Sequence, residues 1–139
     1  MEIQTYVKAE GDFAMSLMQQ GILQAMSGLE NFEDGSLNAS FIFPESFAGF
    51  QGHFEGNPVL PGVCKIQAVI AMHEKFYAKN FRLKEVAQAK YFLPVTPHQK
   101  ITVKCSSKLN PEGALVVKAT VQREEEKVAL LQMIIQEQK

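Results

Sequence analysis

The sequence predicts an α+β fold in which a curved antiparallel sheet wraps around one long central helix. Residues 62–76 are apolar on almost every side of a helix, which is typical of a buried helix. Short segments with alternating apolar and polar residues lie on both sides of it, separated by turn signals. The chain has 139 residues, 46% of them hydrophobic, which suits one core. We therefore expect a single domain, residues 1–139.

The N-terminal region, residues 12–29, has an ambiguous pattern. Its apolar residues have roughly the spacing of a helix, but Gly21 and Gly28 argue against a long one. We predict a short helix or coil, followed by a strand near Ile22–Leu29.

The central part of the chain begins with Asp34-Gly35, a strong hairpin signal. Residues 37–43 then alternate as in a half-buried strand. A loop rich in glycine and proline follows, residues 44–61, and its last proline suits the first turn of a helix. The central helix is predicted at about residues 62–76.

The C-terminal half reads as antiparallel strands. The turn signals are residues 110–113, with the Asn, Pro and Gly of a type I turn, and the charged residues 123–126. The predicted strands are about Val86–Leu93, Lys100–Ser107, Ala114–Gln122 and Lys127–Gln136. Two strands, one buried helix and four further strands give the fold class stated above.

Composition excludes several function classes. No apolar stretch approaches the roughly 20 residues of a membrane helix, and the first residues lack the features of a secretory signal. The two cysteines, Cys64 and Cys105, lie in apolar segments and are expected to be buried and reduced. We therefore expect a cytoplasmic protein. The sequence has no metal-ligand spacing and no phosphate-binding glycine loop, so no metal or nucleotide cofactor is expected.

The net charge of −1 conceals an uneven distribution, since residues 74–104 carry seven bases and two acids. This stretch is either a solvated face or a docking patch for an acidic partner. The candidate docking residues are Lys75, Lys79 and Arg82. The slightly negative overall charge, without interleaved aromatic and basic residues, argues against nucleic-acid binding.

His53 is the candidate catalytic base, because histidine is the usual general base near neutral pH. Gly52 and Gly56 permit unusual backbone angles, while Pro58 and Pro61 restrict the chain, so this loop can hold an imidazole in place. The alternative is a structural or solvent-exposed histidine. His73 and His98 lack such a context.

Two residues of the predicted helix complete the candidate site. The free N–H groups at the helix start can polarise a carbonyl oxygen at Gly62, or this glycine only permits tight packing. Gln67 needs hydrogen-bond partners on a buried helix, from a neighbouring strand or from a polar cavity.

Two motifs resemble the β-hydroxyacyl-[acyl-carrier-protein] dehydratases of the FabZ/FabA type, which have the hotdog fold. Residues 52–63 read Gly-His-Phe-Glu-Gly-Asn-Pro-Val-Leu-Pro-Gly-Val, against the family's Gly-His-Phe-Pro-Gly-x-Pro-x-x-Pro-Gly-x. Residues 90–97 read Lys-Tyr-Phe-Leu-Pro-Val-Thr-Pro, similar to the family's Lys-Phe-x-x-Pro-Val-x-Pro. The resemblance covers roughly Leu37 to Gln136.

The resemblance implies a role for each matching residue. His53 takes a proton from C2 of the acyl chain, and the Gly62 N–H binds the thioester carbonyl. The family's helix acid, supplied by the partner subunit, falls on Gln67, which donates a hydrogen bond but no proton. Glu55 replaces the family's proline and is the nearest spare carboxylate, since Glu74 lies about 10 Å along the helix from Gln67. The expected substrate contacts are Phe54, Glu55, Pro61, Val63 and Cys64.

The resulting hypotheses belong to different classes. The first is a dehydratase acting on 3-hydroxyacyl thioesters carried on acyl carrier protein, weakened by Gln67. The second is a non-catalytic subunit that binds the acyl chain or carrier, or joins a mixed dimer. The third is a hotdog thioesterase. A homodimer or an assembly of dimers is expected, because a single sheet around one helix leaves open strand edges.

Overall fold

The computed structural model describes residues 16–50 and 57–139. In these residues a six-stranded antiparallel sheet packs on two helices. In chain order the elements are α1 (Leu17–Ala25), β1 (Met26–Asn31), β2 (Leu37–Ile42), a 3₁₀ turn (Ala48–Phe50), α2 (Gly62–Tyr77), β3 (Phe81–Tyr91), β4 (Lys100–Leu109), β5 (Leu115–Arg123) and β6 (Glu126–Glu137).

Helix α1 occupies much of the region where we predicted a strand, so the prediction of a strand near Ile22–Leu29 is wrong for its first half. A capping box at Ser16 starts the helix. The Ser16 side chain accepts from the Gln19 N–H at 3.0 Å, and the Gln19 side-chain oxygen accepts from the Ser16 N–H at 3.0 Å. Gly21 does not break the helix. A Cβ there would lie 2.6 Å from the Phe47 ring, so the glycine permits close packing.

The hairpin predicted at Asp34-Gly35 joins β1 to β2. Gly35 has a φ of 89°, and the Asp34 carboxylate accepts from the Ser36 N–H at 2.9 Å. A register shift interrupts β1 between Ser27 and Glu30, where Gly28 has a φ of 63°.

The order of the strands is β1-β2-β4-β5-β6-β3, so β1 and β3 form the two edges of the sheet in the described part of the chain. The prediction for β3, Val86–Leu93, placed its start too late, since the strand begins at Phe81 and pairs with β6 from there. Its side chains from Arg82 to Tyr91 are all exposed, on both faces of the strand.

Helix α2 lies within one residue of its predicted range and packs its buried face on the sheet. Pro61 precedes it without a side-chain cap, and Ala78 ends it in the left-handed conformation at a φ of 55°. Cys64, Val69 and Met72 have no exposed surface. Each buried apolar side chain of this size stabilises the fold by about 1.5–3 kcal/mol.

Candidate active site

The loop that carries the proposed base lies outside the described residues, and with it His53, Phe54 and Glu55. Its two flanks are described. Phe50, before it, is buried and packs edge-on against Phe47 with ring centroids 5.7 Å apart. Leu60, after it, is buried and donates its N–H to the Val95 carbonyl at 2.7 Å. The described residues Phe50 and Leu60, on either side of this loop, are therefore tied to the core.

The start of α2 brings the two sequence motifs together. A Cβ at Gly62 would lie 2.7 Å from Cζ and 2.8 Å from Oη of Tyr91, so this ring covers the glycine directly. The hydrogen bond from Leu60 to Val95 joins the same two motifs. Gly62 thus permits close packing of Tyr91, one of the two roles considered for it, and its place at the helix start is compatible with the other.

Gln67 is half-buried on a stripe of α2 that also includes Val63 and Glu74, one and two turns away. None of the described residues hydrogen-bonds to its side chain. No strand backbone in the described part of the chain therefore satisfies this amide, in contrast to the first alternative drawn from the sequence. Glu74 is not a spare acid, because its Oε2 accepts from the Phe81 N–H at 2.9 Å.

Lys65 was not singled out from the sequence and is the least expected residue of the region. It is 3% exposed, and its Nζ donates to the Leu60 carbonyl at 3.1 Å and lies 5.4 Å from the centroid of the Tyr91 ring. Burial lowers the pKa of the ammonium from its ordinary value. A usable signal existed: Lys65 is the one basic residue in the apolar run 62–72.

A cavity of about 290 Å³ opens at this point of the molecule. Gly62 and Lys65 border it from the helix, and four consecutive residues border it from the end of β3 and the segment after it. The lining residues are Leu60, Gly62, Lys65, Tyr91, Phe92, Leu93 and Pro94. An acyl group with a polar end fits such a mixture of apolar walls and hydrogen-bond donors.

The remaining predicted substrate contacts differ in accessibility. Pro61 and Val63 are half-buried. Cys64 has no exposed surface, and its Sγ lies 3.9 Å from the Met18 sulfur. Burial raises the pKa of the Cys64 thiol to about 11, so it is an inert core residue at neutral pH. A substrate-contacting role for Cys64 finds no support in this arrangement.

His73 lies on the buried side of α2. Its Nδ1 lies 2.8 Å from the Val69 carbonyl oxygen, while Nε2 is buried without a hydrogen-bond partner in the described structure. Tyr77 and Phe81 pack against the imidazole at centroid distances of 6.2 and 6.4 Å. Burial lowers its pKa, which favours the neutral ring.

The candidate docking residues lie at the C-terminal end of α2 and at the start of β3. Lys75 and Lys79 border a shallow groove of about 450 Å³. Lys79 pairs with Glu137 at 3.4 Å, and Arg82 donates to the Gln136 side chain at 3.1 Å. Lys75 is exposed and enters no ion pair with the described residues.

Neither a metal-binding cluster nor a membrane-spanning helix is found in the described ranges 16–50 and 57–139. No group of three or more His, Cys, Asp and Glu side chains there is arranged to hold a metal ion. Nor does that part of the chain contain a helix of the length and apolarity needed to cross a membrane.

Part of the chain is similar in sequence to a curated acyl-carrier-protein dehydratase. The 3-hydroxyacyl-[acyl-carrier-protein] dehydratase FabZ of Lactiplantibacillus plantarum is 45% identical over 60 residues, which cover 38% of this chain and 40% of that protein. The match therefore spans well under half the length of this curated relative.

Two solved structures share the fold at low sequence identity. The dehydratase heterocomplex ApeI:P from Xenorhabdus doucetiae superposes with a TM-score of 0.62 at 16% identity, covering 79% of this chain and 95% of that one. A mutant of the thioesterase PA1618 from Pseudomonas aeruginosa superposes with a TM-score of 0.59 at 14% identity, covering 84% of this chain and 83% of that one. These likenesses confirm the hotdog fold.

A family model described as ApeI-like, for the ApeI dehydratase, matches residues 29–133. That range contains α2, the loop before it and both motifs, and it covers most of the chain. This chain therefore belongs to the ApeI-like dehydratase family, which agrees with the FabZ-type resemblance of its motifs.

Proposed function

We propose that this protein dehydrates 3-hydroxyacyl thioesters carried on acyl carrier protein, as a hydro-lyase of fatty acid or related acyl biosynthesis. The observation that supports this most is the junction of the two motifs at the start of α2. There Tyr91 covers Gly62, Leu60 bonds to Val95, and a cavity with apolar walls opens beside them. The proposed compartment is the cytoplasm.

In the proposed reaction His53 takes a proton from C2, and the electron pair left behind moves toward the thioester carbonyl. The Gly62 N–H donates a hydrogen bond to that carbonyl oxygen. The C2–C3 double bond then forms as the C3–O bond breaks. The departing hydroxyl leaves as water with a proton returned by the His53 imidazolium, so no further acid is needed for balance. Gln67 donates a hydrogen bond to the hydroxyl.

The proposed site is shared by two copies of the chain, with Gln67 supplied by the partner. Strand β3 is eleven residues long, lies at the sheet edge and exposes Leu83 and Val86 by 37% and 38%. Such an edge favours pairing with a second strand. The variant Leu83→Lys/Val86→Lys should be a monomer by light scattering and inactive; an active monomer would exclude a shared site.

The carrier protein is proposed to dock on Lys75, Lys79 and Arg82. These side chains are exposed at one end of α2 and the adjoining start of β3, about 20 Å along the helix from Gly62. An acidic carrier would be attracted by this charge, and the attraction would fall with salt.

The test is dehydration of a 3-hydroxybutyryl group on acyl carrier protein, followed as formation of the conjugated enoyl thioester. His53→Ala should lower kcat by about 10²–10⁴-fold, the usual contribution of a general base. His98→Asn is the control, since His98 is exposed with a φ of 71° that asparagine tolerates. Equal rates for His53→Ala and the wild type would remove His53 from the mechanism.

A second candidate function is an acyl- or carrier-binding subunit that is active only in a mixed dimer. The neutral Gln67 favours it, and the similar ApeI:P structure is described as a heterocomplex. Carrier binding without turnover, followed by activity on adding a separate hotdog subunit with glutamate at the helix position, would favour this function over the first.

The third candidate function is that of a thioesterase. It is supported only by the structural likeness to the Pseudomonas aeruginosa thioesterase, and this likeness concerns the fold alone. Release of free thiol from an acyl-carrier substrate, without formation of the enoyl product, would establish it in place of dehydration.

A further inference from the structure

Lys65 is a buried cation without an opposite charge in the described structure. Lys65 is 3% exposed. The ion pairs found among residues 16–50 and 57–139 join other side chains. Lysine is almost never fully buried without a partner, because removing an ammonium from water costs several kcal/mol. Stability alone therefore does not explain a lysine at this place.

The two contacts of Lys65 hold its side chain without neutralising it. The Leu60 carbonyl accepts one of the three ammonium protons at 3.1 Å, and the Tyr91 ring lies 5.4 Å from Nζ. A nearby aromatic ring stabilises a cation by about 0.5–2 kcal/mol, less than the cost of burying it. The side chain is thus fixed in position and retains the capacity to donate.

Lys65 also borders the cavity of about 290 Å³, so a ligand in that cavity would lie beside its side chain. Gly62 borders the same cavity from one turn earlier, where the free N–H groups and the dipole of the sixteen-residue helix α2 add positive potential. Tyr91 and Phe92 form part of the wall. An electron-rich oxygen attached to an apolar chain matches these surroundings.

We propose that Lys65 is a further catalytic residue, whose ammonium receives the thioester carbonyl oxygen of the acyl substrate together with the Gly62 N–H. This rests on the dehydration proposed above. When His53 takes the C2 proton, the electron pair forms a C1–C2 double bond and places negative charge on that oxygen. The pair then returns to form the C2–C3 double bond as the hydroxyl leaves. Lys65 keeps its own proton throughout.

This assignment bears on the neutral Gln67. A cation at the carbonyl oxygen stabilises the enolate, so that removal of the C2 proton can precede departure of the hydroxyl. The departing group then needs less help from an acid, since the enolate already supplies the electron pair. Charge stabilisation at the carbonyl end thus compensates for a missing carboxylic acid at the hydroxyl end.

Lys65→Met is the informative variant, because it keeps an unbranched chain and removes the charge. Removing a buried charge that has no opposite charge among the described residues should leave the Tm unchanged or raise it, so low activity would not reflect unfolding. We expect kcat to fall by about 10²-fold with little change in KM. The kcat of Lys65→Gln, which keeps a hydrogen-bond donor without the charge, should fall by a similar factor. Lys118→Met is the control, because Lys118 is exposed on β5 and lies outside the cavity lining and the proposed docking residues, and it should retain its rate.

A binding measurement separates this inference from the proposed function. Butyryl-pantetheine carries the thioester but no 3-hydroxyl, so it binds without reacting. Its carbonyl stretching frequency should shift down on binding to the wild type, by infrared or Raman difference, and the shift should be largely lost in Lys65→Met. Equal shifts in both proteins would overturn the role of Lys65 while leaving dehydration standing. Absence of both binding and turnover in the wild type would overturn both.

Discussion

The two ends of α2 differ in how their polar groups are compensated. At the C-terminal end, Glu74 accepts from the Phe81 N–H at 2.9 Å and Lys79 pairs with Glu137 at 3.4 Å. At the N-terminal end, Lys65 has no opposite charge and Gln67 no hydrogen-bond partner among the residues that the structure describes. One helix thus carries a satisfied end and an unsatisfied end.

This difference separates stability from function. Buried or half-buried polar groups that lack an opposite charge or a hydrogen-bond partner cost stability. Proteins retain such groups where they act on a ligand. His73 is the exception at the satisfied end, because its Nε2 is buried without a partner in the described structure. A neutral ring among Tyr77 and Phe81 costs far less than a buried charge.

The largest effect expected at the unsatisfied end is that of Gly62→Ala. The new Cβ would lie 2.7 Å from the Tyr91 ring, so the ring or the helix start must move. Displacement of about 1 Å at a catalytic donor can cost about 10²-fold, and we expect kcat/KM to fall by that factor. Adding Tyr91→Ala should restore part of the activity, because it removes the clash.

Gly21→Ala is the matched control for that variant, since its Cβ would lie 2.6 Å from the Phe47 ring at a place outside the cavity lining. It should lower the Tm but leave the activity per folded molecule close to normal. Equal losses of activity in the two variants would mean that Gly62 serves packing alone.

The next effect is a gain. Gln67→Glu restores a carboxylic acid at the position that resembles the family's proton donor, and general acids contribute about 10²–10⁴-fold. With His53 already able to return the proton, we expect a smaller rise in kcat, about 10-fold. Gln122→Glu, half-buried on β5, is the control and should leave kcat unchanged. A folded Gln67→Glu protein no faster than wild type would contradict the placement of Gln67 in the site.

The sequence predicts the helices and strands better than the long-range contacts at the unsatisfied end of α2. Apolar periodicity predicted the range of α2 to within one residue and the antiparallel order of turns and strands after it, because these depend on neighbours along the chain. The contact of Tyr91 with Gly62 and the burial of Lys65 depend on residues far apart in sequence, so local patterns could not reveal them.

Two local errors have different origins. Gly21 was interpreted as a helix breaker, whereas the capping box at Ser16 starts the helix and the Phe47 ring requires the glycine. The start of β3 was placed five residues late, because its exposed side chains lack the alternation of a strand with one buried face. An edge strand open on both faces carries no such signal.

At the satisfied end, a change of charge should act on carrier binding rather than on chemistry. Replacing Lys75, Lys79 and Arg82 by glutamine should weaken carrier binding about fivefold at low salt, and the difference should vanish at high salt because exposed charges are screened. Titration calorimetry at two salt concentrations measures this. Lys108 and Lys118, exposed on β4 and β5, provide the control pair for substitution by glutamine. Weakening that persists at high salt would contradict a docking role.

The smallest effect concerns His73 and the pH dependence of stability. Burial lowers its pKa in the folded protein, so the unfolded chain binds more protons in mildly acidic solution. The contribution of this residue is therefore fully present above the unfolded pKa of about 6.5 and is lost as the pH falls through that value. Denaturant unfolding between pH 7.5 and 5 should show His73→Met losing less stability than wild type. His98→Asn, at an exposed histidine, should follow the wild type. Parallel curves for His73→Met and the wild type would mean that the buried ring does not govern this slope.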